Sequence, residues 1–272
     1  MRSAVIAVTL ALLLATTAFA ELRADFMEIG QADATLIVCD GTVMLVDAGA
    51  NATGQQLVEQ LRQRGIQRID VMVGTHPHED HIGGMDEVIN AFDIGVVLMP
   101  DVDYATQTYL DVLIAMDRKG IEPMFPDIWD SFKLGGATVT VLSPARNDYA
   151  DLNFFSLVFR IDHGETSMLL MADAEDVNEF EMIDAGMPLD ADILKVGHHG
   201  SNTSTTEAFV DAVKPAIAII SCGKANSYGH PDTTVVERLI AAGCEIFITH
   251  EDGDIVITSD GVNYDIATNS IN

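Results

Sequence analysis

Apolar and polar positions alternate in short runs through the first part of the chain. ADFMEIG, ATLIVCD and TVMLVDAG read as strands, with Asp40-Gly41 a hairpin signal between the last two. After Asn51 the period changes: Leu57, Val58 and Leu61 fall on one face of a helix that stops at Gly65, and IDVMVG follows as a short buried strand. EVINAF then reads as a helix, IGVVLM as a strand, and Ala105 to about Lys119 as a longer helix. KLGG turns a hairpin into ATVTVLSP, and FSLVFRID joins SMLLMAD through His163-Gly164. Strand and helix alternation returns in ADILKVG, TEAFVDAV, AIAIIS, TVVERLIAAG, EIFITH and DIVITS. Meander-like strands mixed with βα units in both halves predict two sheets facing each other with helices outside, an α/β architecture. No linker rich in Pro, Ser or Gly interrupts residues 21–272, so they are read as one domain.

Residues 1–20, MRSAVIAVTLALLLATTAFA, read as a secretory signal cleaved after Ala20: one arginine, an apolar core, and Ala18 and Ala20 in an A-x-A arrangement. The core from Val5 to Leu14 is too short to span roughly 30 Å of hydrocarbon. The expected protein is therefore exported, secreted or periplasmic, with no membrane span after cleavage. Its formal charge is −28, and loss of Arg2 would make that −29. Such a surface repels phosphate backbones, so tight non-specific DNA binding is not expected at low salt. The three cysteines, Cys39, Cys222 and Cys244, form no CxxC pattern. Cys222 and Cys244 border consecutive strand-like runs but at opposite ends, which favours three buried thiols over a bridge.

The chemistry concentrates in THPHEDHIGG at 75–84, directly after a strand, where open α/β sheets gather ligands. His76 and His78 stand two apart, so in an extended loop both imidazoles can close on one metal ion. Asp80 and His81 diverge from that pair and can serve a second ion; two ions about 3.5–4 Å apart can hold an activated water between them. Six of the chain's eight histidines fall in three compact motifs, which argues against chance. VGHHGSNTS follows another strand, and either His198 or His199 can complete the second ion's shell while the other packs or donates a hydrogen bond. Asp173 in LLMADAE follows a buried strand and can bridge two cations, or cap the next helix. Asp47 in LVDAG suits a buried carboxylate that orients a ligand histidine. In SYGHPDT, Gly229 and Pro231 pin a loop that projects His230.

Together these motifs resemble the metallo-β-lactamase superfamily. HPHEDH matches HxHxDH, with Asp47 upstream and Asp173 and His198-His199 downstream. FMEIGQADATLIV, LKVGHHGSNTST, and YGHP followed by ERLIAAG resemble the branch of the C-terminal extracytoplasmic domain of the competence protein ComEC. The resemblance implies an αββα four-layer sandwich, with His76, His78, Asp80 and His81 as metal ligands, Asp173 bridging, and His198 or His199 completing the shell. It places Ser201 and His230 against a substrate phosphate. Ala32 replaces a glycine of the opening motif, and Asp33 keeps the carboxylate after it. Fully furnished two-zinc members carry a further histidine before the bridging aspartate. Here DLNFFSLVF offers Asn153, while His163 lies in a hairpin turn. The second ion is thus better furnished than the first, and an Asn beside carboxylates brings Mn²⁺ alongside Zn²⁺ as a fitting ion. His250, in THEDGDI, is expected in a surface hairpin.

The implied function is hydrolysis by a metal-activated water, with phosphodiester cleavage, of a small molecule or of nucleic acid, as the family inference. Asp80 or Asp173 would accept the nucleophile's proton, and His230 would stabilise or protonate the leaving oxygen. The alternatives are a hydrolase of β-lactams or lactones, and a metal-binding module without turnover.

Overall fold

The computed structural model describes residues 21–269; the expected signal segment, residues 1–20, lies outside them. Among the described residues the strands form two sheets. The first runs, in spatial order, Tyr264–Thr268, Ile255–Ser259, Leu22–Phe26, Thr35–Cys39, Thr42–Val46, Arg68–Val73, Asp93–Leu98 and Pro123–Met124. The second runs Glu245–Ile248, Ile217–Ile220, Ile193–Lys195, Thr166–Leu170, Val158–His163, Ala137–Ser143 and Ser131–Leu134. Both are mixed. Thr42–Val46, Arg68–Val73 and Asp93–Leu98 are parallel in one. In the other, Thr166–Leu170, Ile193–Lys195, Ile217–Ile220 and Glu245–Ile248 are parallel.

Both faces of these sheets are covered, which is why their strands read as nearly continuous apolar runs. In Thr42–Val46, Met44 and Val46 point into the core between the sheets with Phe26, Phe159, Ile161 and Ile219. Val43 and Leu45 point outward, where Leu57, Val58 and Leu61 of helix Gly54–Gln63 and Val112 and Met116 of helix Gln107–Lys119 cover them. The outer face of the second sheet is covered likewise by Met182, Phe209, Val210, Val235 and Leu239 from three further helices. The result is the four-layer αββα sandwich expected from the sequence. Each fully buried aliphatic or aromatic side chain contributes about 1.5–3 kcal/mol.

Several boundaries differ for local reasons. The helix expected from Ala105 begins at Gln107, because the Thr106 hydroxyl caps it by accepting from the Tyr109 N–H. Phe155, the first residue of the run FSLVFRID, still belongs to the 3₁₀ turn Leu152–Phe155, and the strand starts at Val158. The half-exposed edge strands Tyr264–Thr268 and Pro123–Met124 have no counterpart in the sequence reading. His250 is not in a surface hairpin: Thr249–Asp252 is a helical turn, and the imidazole packs 3.4 Å from Cys222 Sγ. All three cysteines are free and buried; burial pushes the Cys222 thiol up to about 12, and Cys244 donates to the Pro215 carbonyl.

The glycines of HIGG let the site-bearing turn lie against the Asp47–Asn51 loop. A Cβ at Gly83 would sit 2.1 Å from the Asn51 nitrogen, and one at Gly84 2.4 Å from the Ala48 carbonyl oxygen. Gly83→Ala is expected to cost at least about 1–3 kcal/mol through overpacking, read as a lower urea midpoint with an unchanged slope.

Candidate metal centre

Every expected site residue except Ser201 comes to one edge of the sandwich, at the carboxyl ends of the parallel strands. Asp47 follows Thr42–Val46, residues 75–81 follow Arg68–Val73, and Asp173 follows Thr166–Leu170. His198 and His199 follow Ile193–Lys195, and His230 follows Ile217–Ile220. Asn153 enters from the 3₁₀ turn. The connections are held in unusual backbone conformations: Asp47, Ala172, His198 and His199 have φ of 60°, 49°, 45° and 53°. Left-handed residues with a Cβ cost roughly 1–2 kcal/mol each and collect where function over-determines the backbone.

Asp47 is a hub. Its carboxylate accepts the Thr75 N–H and hydroxyl, both at 2.8 Å, and His81 Nδ1 at 2.8 Å. The last bond fixes the His81 tautomer and aims Nε2 away from Asp47. His199 is fixed the same way, its Nδ1 donating to the Ser221 carbonyl at 2.9 Å. His81 Nε2 stands 3.2 Å from Asp173 Oδ1, and His199 Nε2 stands 3.2 Å from Asp80 Oδ2 and 3.6 Å from Asp173 Oδ1. On the other side, His76 Nε2 lies 3.0 Å from His78 Nδ1, and His76 and His198 each approach Asp173 Oδ2 at 3.7 Å. Asp173 therefore turns one oxygen toward each of two groups, Asp80-His81-His199 and His76-His78.

These groups fit divalent ions. Ligands about 2.0–2.2 Å from one tetrahedral ion stand about 3.3–3.6 Å apart, the spacing seen around Asp173 Oδ1. His81 Nε2 and Asp173 Oδ1 are buried and close yet misaligned for a hydrogen bond, so neither has a partner; Asn153 Oδ1 and His230 Nδ1 are also buried without one. Four orphaned polar atoms at one place match what cations would satisfy.

Electrostatics point the same way. Burial and repulsion from His81 hold the His76 pKa well below the usual imidazole range. Burial also opposes charge on His81, but Asp173, Asp47 and Asp80 outweigh it and hold its pKa well above that range. For Asp173, His81 and His199 outweigh burial and keep the carboxylate ionised. Burial raises the Asp47 carboxyl against the pull of His81. In the ion-free protein His81 is thus protonated at neutral pH and must lose that proton to offer Nε2. Affinity for Zn²⁺ or Mn²⁺ is expected to rise with pH, by up to about tenfold per unit for each proton released. Calorimetry in buffers of different ionisation enthalpy counts those protons.

The sequence left His198 and His199 as equal candidates; the geometry assigns His199 to the group around Asp80. His198 turns its Nδ1 to Glu175 Oε1 at 3.0 Å and its Nε2 toward the Asn153 amide at 3.4 Å. Ser201, expected to face the substrate, is buried, and its hydroxyl bonds Thr203 Oγ1 at 2.9 Å behind His198. The reason is the left-handed pair His198-His199, which turns the chain inward at Gly200 and Ser201. Gln31, Glu79 and Tyr228 enter the wall instead. Together with His78, Asp80, Asn153, Asp173, His198, His199 and His230 they line a cavity of about 410 Å³.

Fold and ligand set are those of a metal-dependent hydrolase. A family model described as the metallo-beta-lactamase superfamily matches residues 27–224, and the chain belongs to that superfamily. It is 30% identical over 250 residues to ComE operon protein 3 of Bacillus subtilis, covering 85% of this chain and 32% of that protein. It is 32% identical over 225 residues to Recombination protein 2 of Haemophilus influenzae, covering 80% of this chain and 26% of that protein. Both relatives are ComEC-like competence proteins, and the chain spans about a third or less of their length. Among solved structures, the metallo-beta-lactamase fold protein YhfI from Bacillus subtilis superposes with a TM-score of 0.59 at 14% identity, covering 88% of this chain and 100% of that one, a likeness of fold.

Proposed function

We propose that the chain is an exported phosphodiesterase that works with two divalent ions, Zn²⁺ or Mn²⁺. The observation that carries this reading is Asp173, which presents one oxygen to each ligand group. When bound, the ions supply Lewis acidity and a nucleophilic water at neutral pH. Asp80, whose side chain is 31% exposed against 3% for Asp173, is the carboxylate that a proton on the cavity side can reach. Burial, then repulsion from His198 and His199, hold the His230 pKa down, so it meets a leaving oxygen as a neutral hydrogen-bonding group. For His198, Glu175 and Asp173 outweigh burial and raise the pKa, which favours positive charge on this wall of the cavity.

The substrate class is argued from the wall. None of its residues is a lysine or arginine, so substrate charge is met by histidine side chains and the ions alone. That suits the single charge of a diester better than the double charge of a monoester. Asn153, where a third histidine would complete the first ion's shell, disfavours the β-lactam or lactone alternative. One relative bears the name Recombination protein 2 and the sequence motifs resemble the competence protein ComEC, which supports a nucleic-acid substrate as part of the proposal, with a small diester meeting less repulsion.

A substrate panel tests this. Ion-loaded protein is expected to turn over bis-p-nitrophenyl phosphate at least about tenfold better than p-nitrophenyl phosphate, and to leave a chromogenic cephalosporin and a lactone intact. For single-stranded DNA, repulsion from the −28 chain predicts that KM falls as salt rises from 20 to 200 mM, opposite to the usual salt dependence. Turnover of the cephalosporin alone would overturn the proposal; ion binding without any turnover would favour the silent module.

A further inference from the structure

Beneath the ligand groups lies an ion pair that the chemistry above does not use. Lys195, the last residue of strand Ile193–Lys195 in the second sheet, is 3% exposed and is the one buried lysine among the described residues. Its Nζ donates to Asp33 Oδ2 at 2.8 Å and to the Val196 carbonyl at 3.2 Å. Asp33, also buried, precedes strand Thr35–Cys39 of the first sheet, so the pair crosses from one sheet to the other. Buried pairs are weak contributors to stability compared with apolar side chains of similar volume. Its place in the structure therefore points to another role.

Asp33 touches both sides of the centre. Its N–H donates to the Asp80 carbonyl at 3.1 Å, and its carbonyl accepts the Gly49 N–H at 2.8 Å, two residues beyond Asp47. Its free oxygen, Oδ1, lies 3.7 Å from His199 Nδ1. Asp33, Asp47 and His81 also lie close enough to suggest a third ion site. Yet Asp33 Oδ2 already accepts from the Lys195 ammonium, and both Asp47 oxygens accept from Thr75 or His81.

We propose that Lys195 and Asp33 are positioning residues: a strut that fixes Asp80 and His81, carried by the first sheet, against His199, carried by the second. The inference rests on the two-ion reading. Its consequence is selective, because His76 and His78 have no contact with the strut and their partner group is set by the Asp47–Thr75 bonds.

The test titrates Zn²⁺ into ion-free wild type, Lys195→Met/Asp33→Leu and Asp33→Asn, following both binding steps by competition with a chromophoric chelator and recording the Co²⁺ absorption spectrum. The double variant removes both charges and leaves neither stranded; Asp33→Asn keeps the volume and the backbone bonds, should the double variant fail to fold. Expected is a loss of about 10–100-fold at the tighter step, the range for residues that orient metal ligands. A changed Co²⁺ spectrum should accompany it, with the weaker step moved less than about threefold and the melting temperature of the ion-free double variant close to wild type. Wild-type affinity at both steps in the variants would overturn the strut. So would equal weakening of both steps with a lowered melting temperature, the signature of a merely loosened fold. Wild type that binds no ion would instead sink the two-ion reading itself.

Discussion

Asp173→Asn is expected to remove nearly all phosphodiester turnover, by more than the about 10²–10⁴-fold that a single acid–base group contributes. The side chain is buried, and its two oxygens face different partners, Oδ1 toward His81 and His199 and Oδ2 toward His76 and His198. An amide keeps the shape but halves the acceptor capacity and removes the charge that holds His81 protonated in the ion-free state. Elemental analysis should therefore show both ions depleted together, while circular dichroism shows the fold retained. His78→Ala should deplete mainly the ion nearest His76. If Asp173→Asn kept two ions per chain and its activity, the bridging role would be wrong.

The second large effect is on stability. Chelation should lower the melting temperature by about 8–16 °C for each tightly held ion. A ligand at about a thousand times its Kd stabilises the folded state by about 4.1 kcal/mol. One kcal/mol moves the transition of a chain this size by about 2–4 °C. The protein has little else with which to balance the centre: Asp47, Asp80 and Asp173 converge on His76, His81 and His199, and the cavity wall beside them contains no lysine or arginine. Readdition of Zn²⁺ or Mn²⁺ should restore the transition. Scanning calorimetry with and without chelator reads this directly, and an unchanged transition would mean that no ion is held.

The layers and most of the centre were legible in the sequence because their signals are local. HPHEDH puts its ligands within six positions, and Asp173 and HHGS each sit where an apolar run stops. Residues paired across the fold were not legible. Nothing in the sequence links Asp33 to Lys195, 162 positions away, or Glu175 to His198 and Asn153. Thr75 carries no signal of its own in the sequence, yet it holds Asp47 and, through its carbonyl, the Leu157 N–H that leads into a strand of the facing sheet. Nothing in the sequence marks Glu179, yet it is buried and accepts the Thr205 and Thr206 N–H groups, anchoring the loop that carries His198 and His199. Adjacent histidines could not be told apart, because their directions depend on two left-handed residues in succession, which residue type does not announce. The same turn carries Ser201 away from the cavity.

The most direct test is to titrate the ion-free protein with Zn²⁺ or Mn²⁺ while following turnover of bis-p-nitrophenyl phosphate. A phosphodiesterase with two ions at Asp173 requires activity to rise with added ion and level off near two equivalents per chain. Activity that survives complete removal of metal, or a protein that takes up its ions and cleaves no phosphodiester, would contradict it.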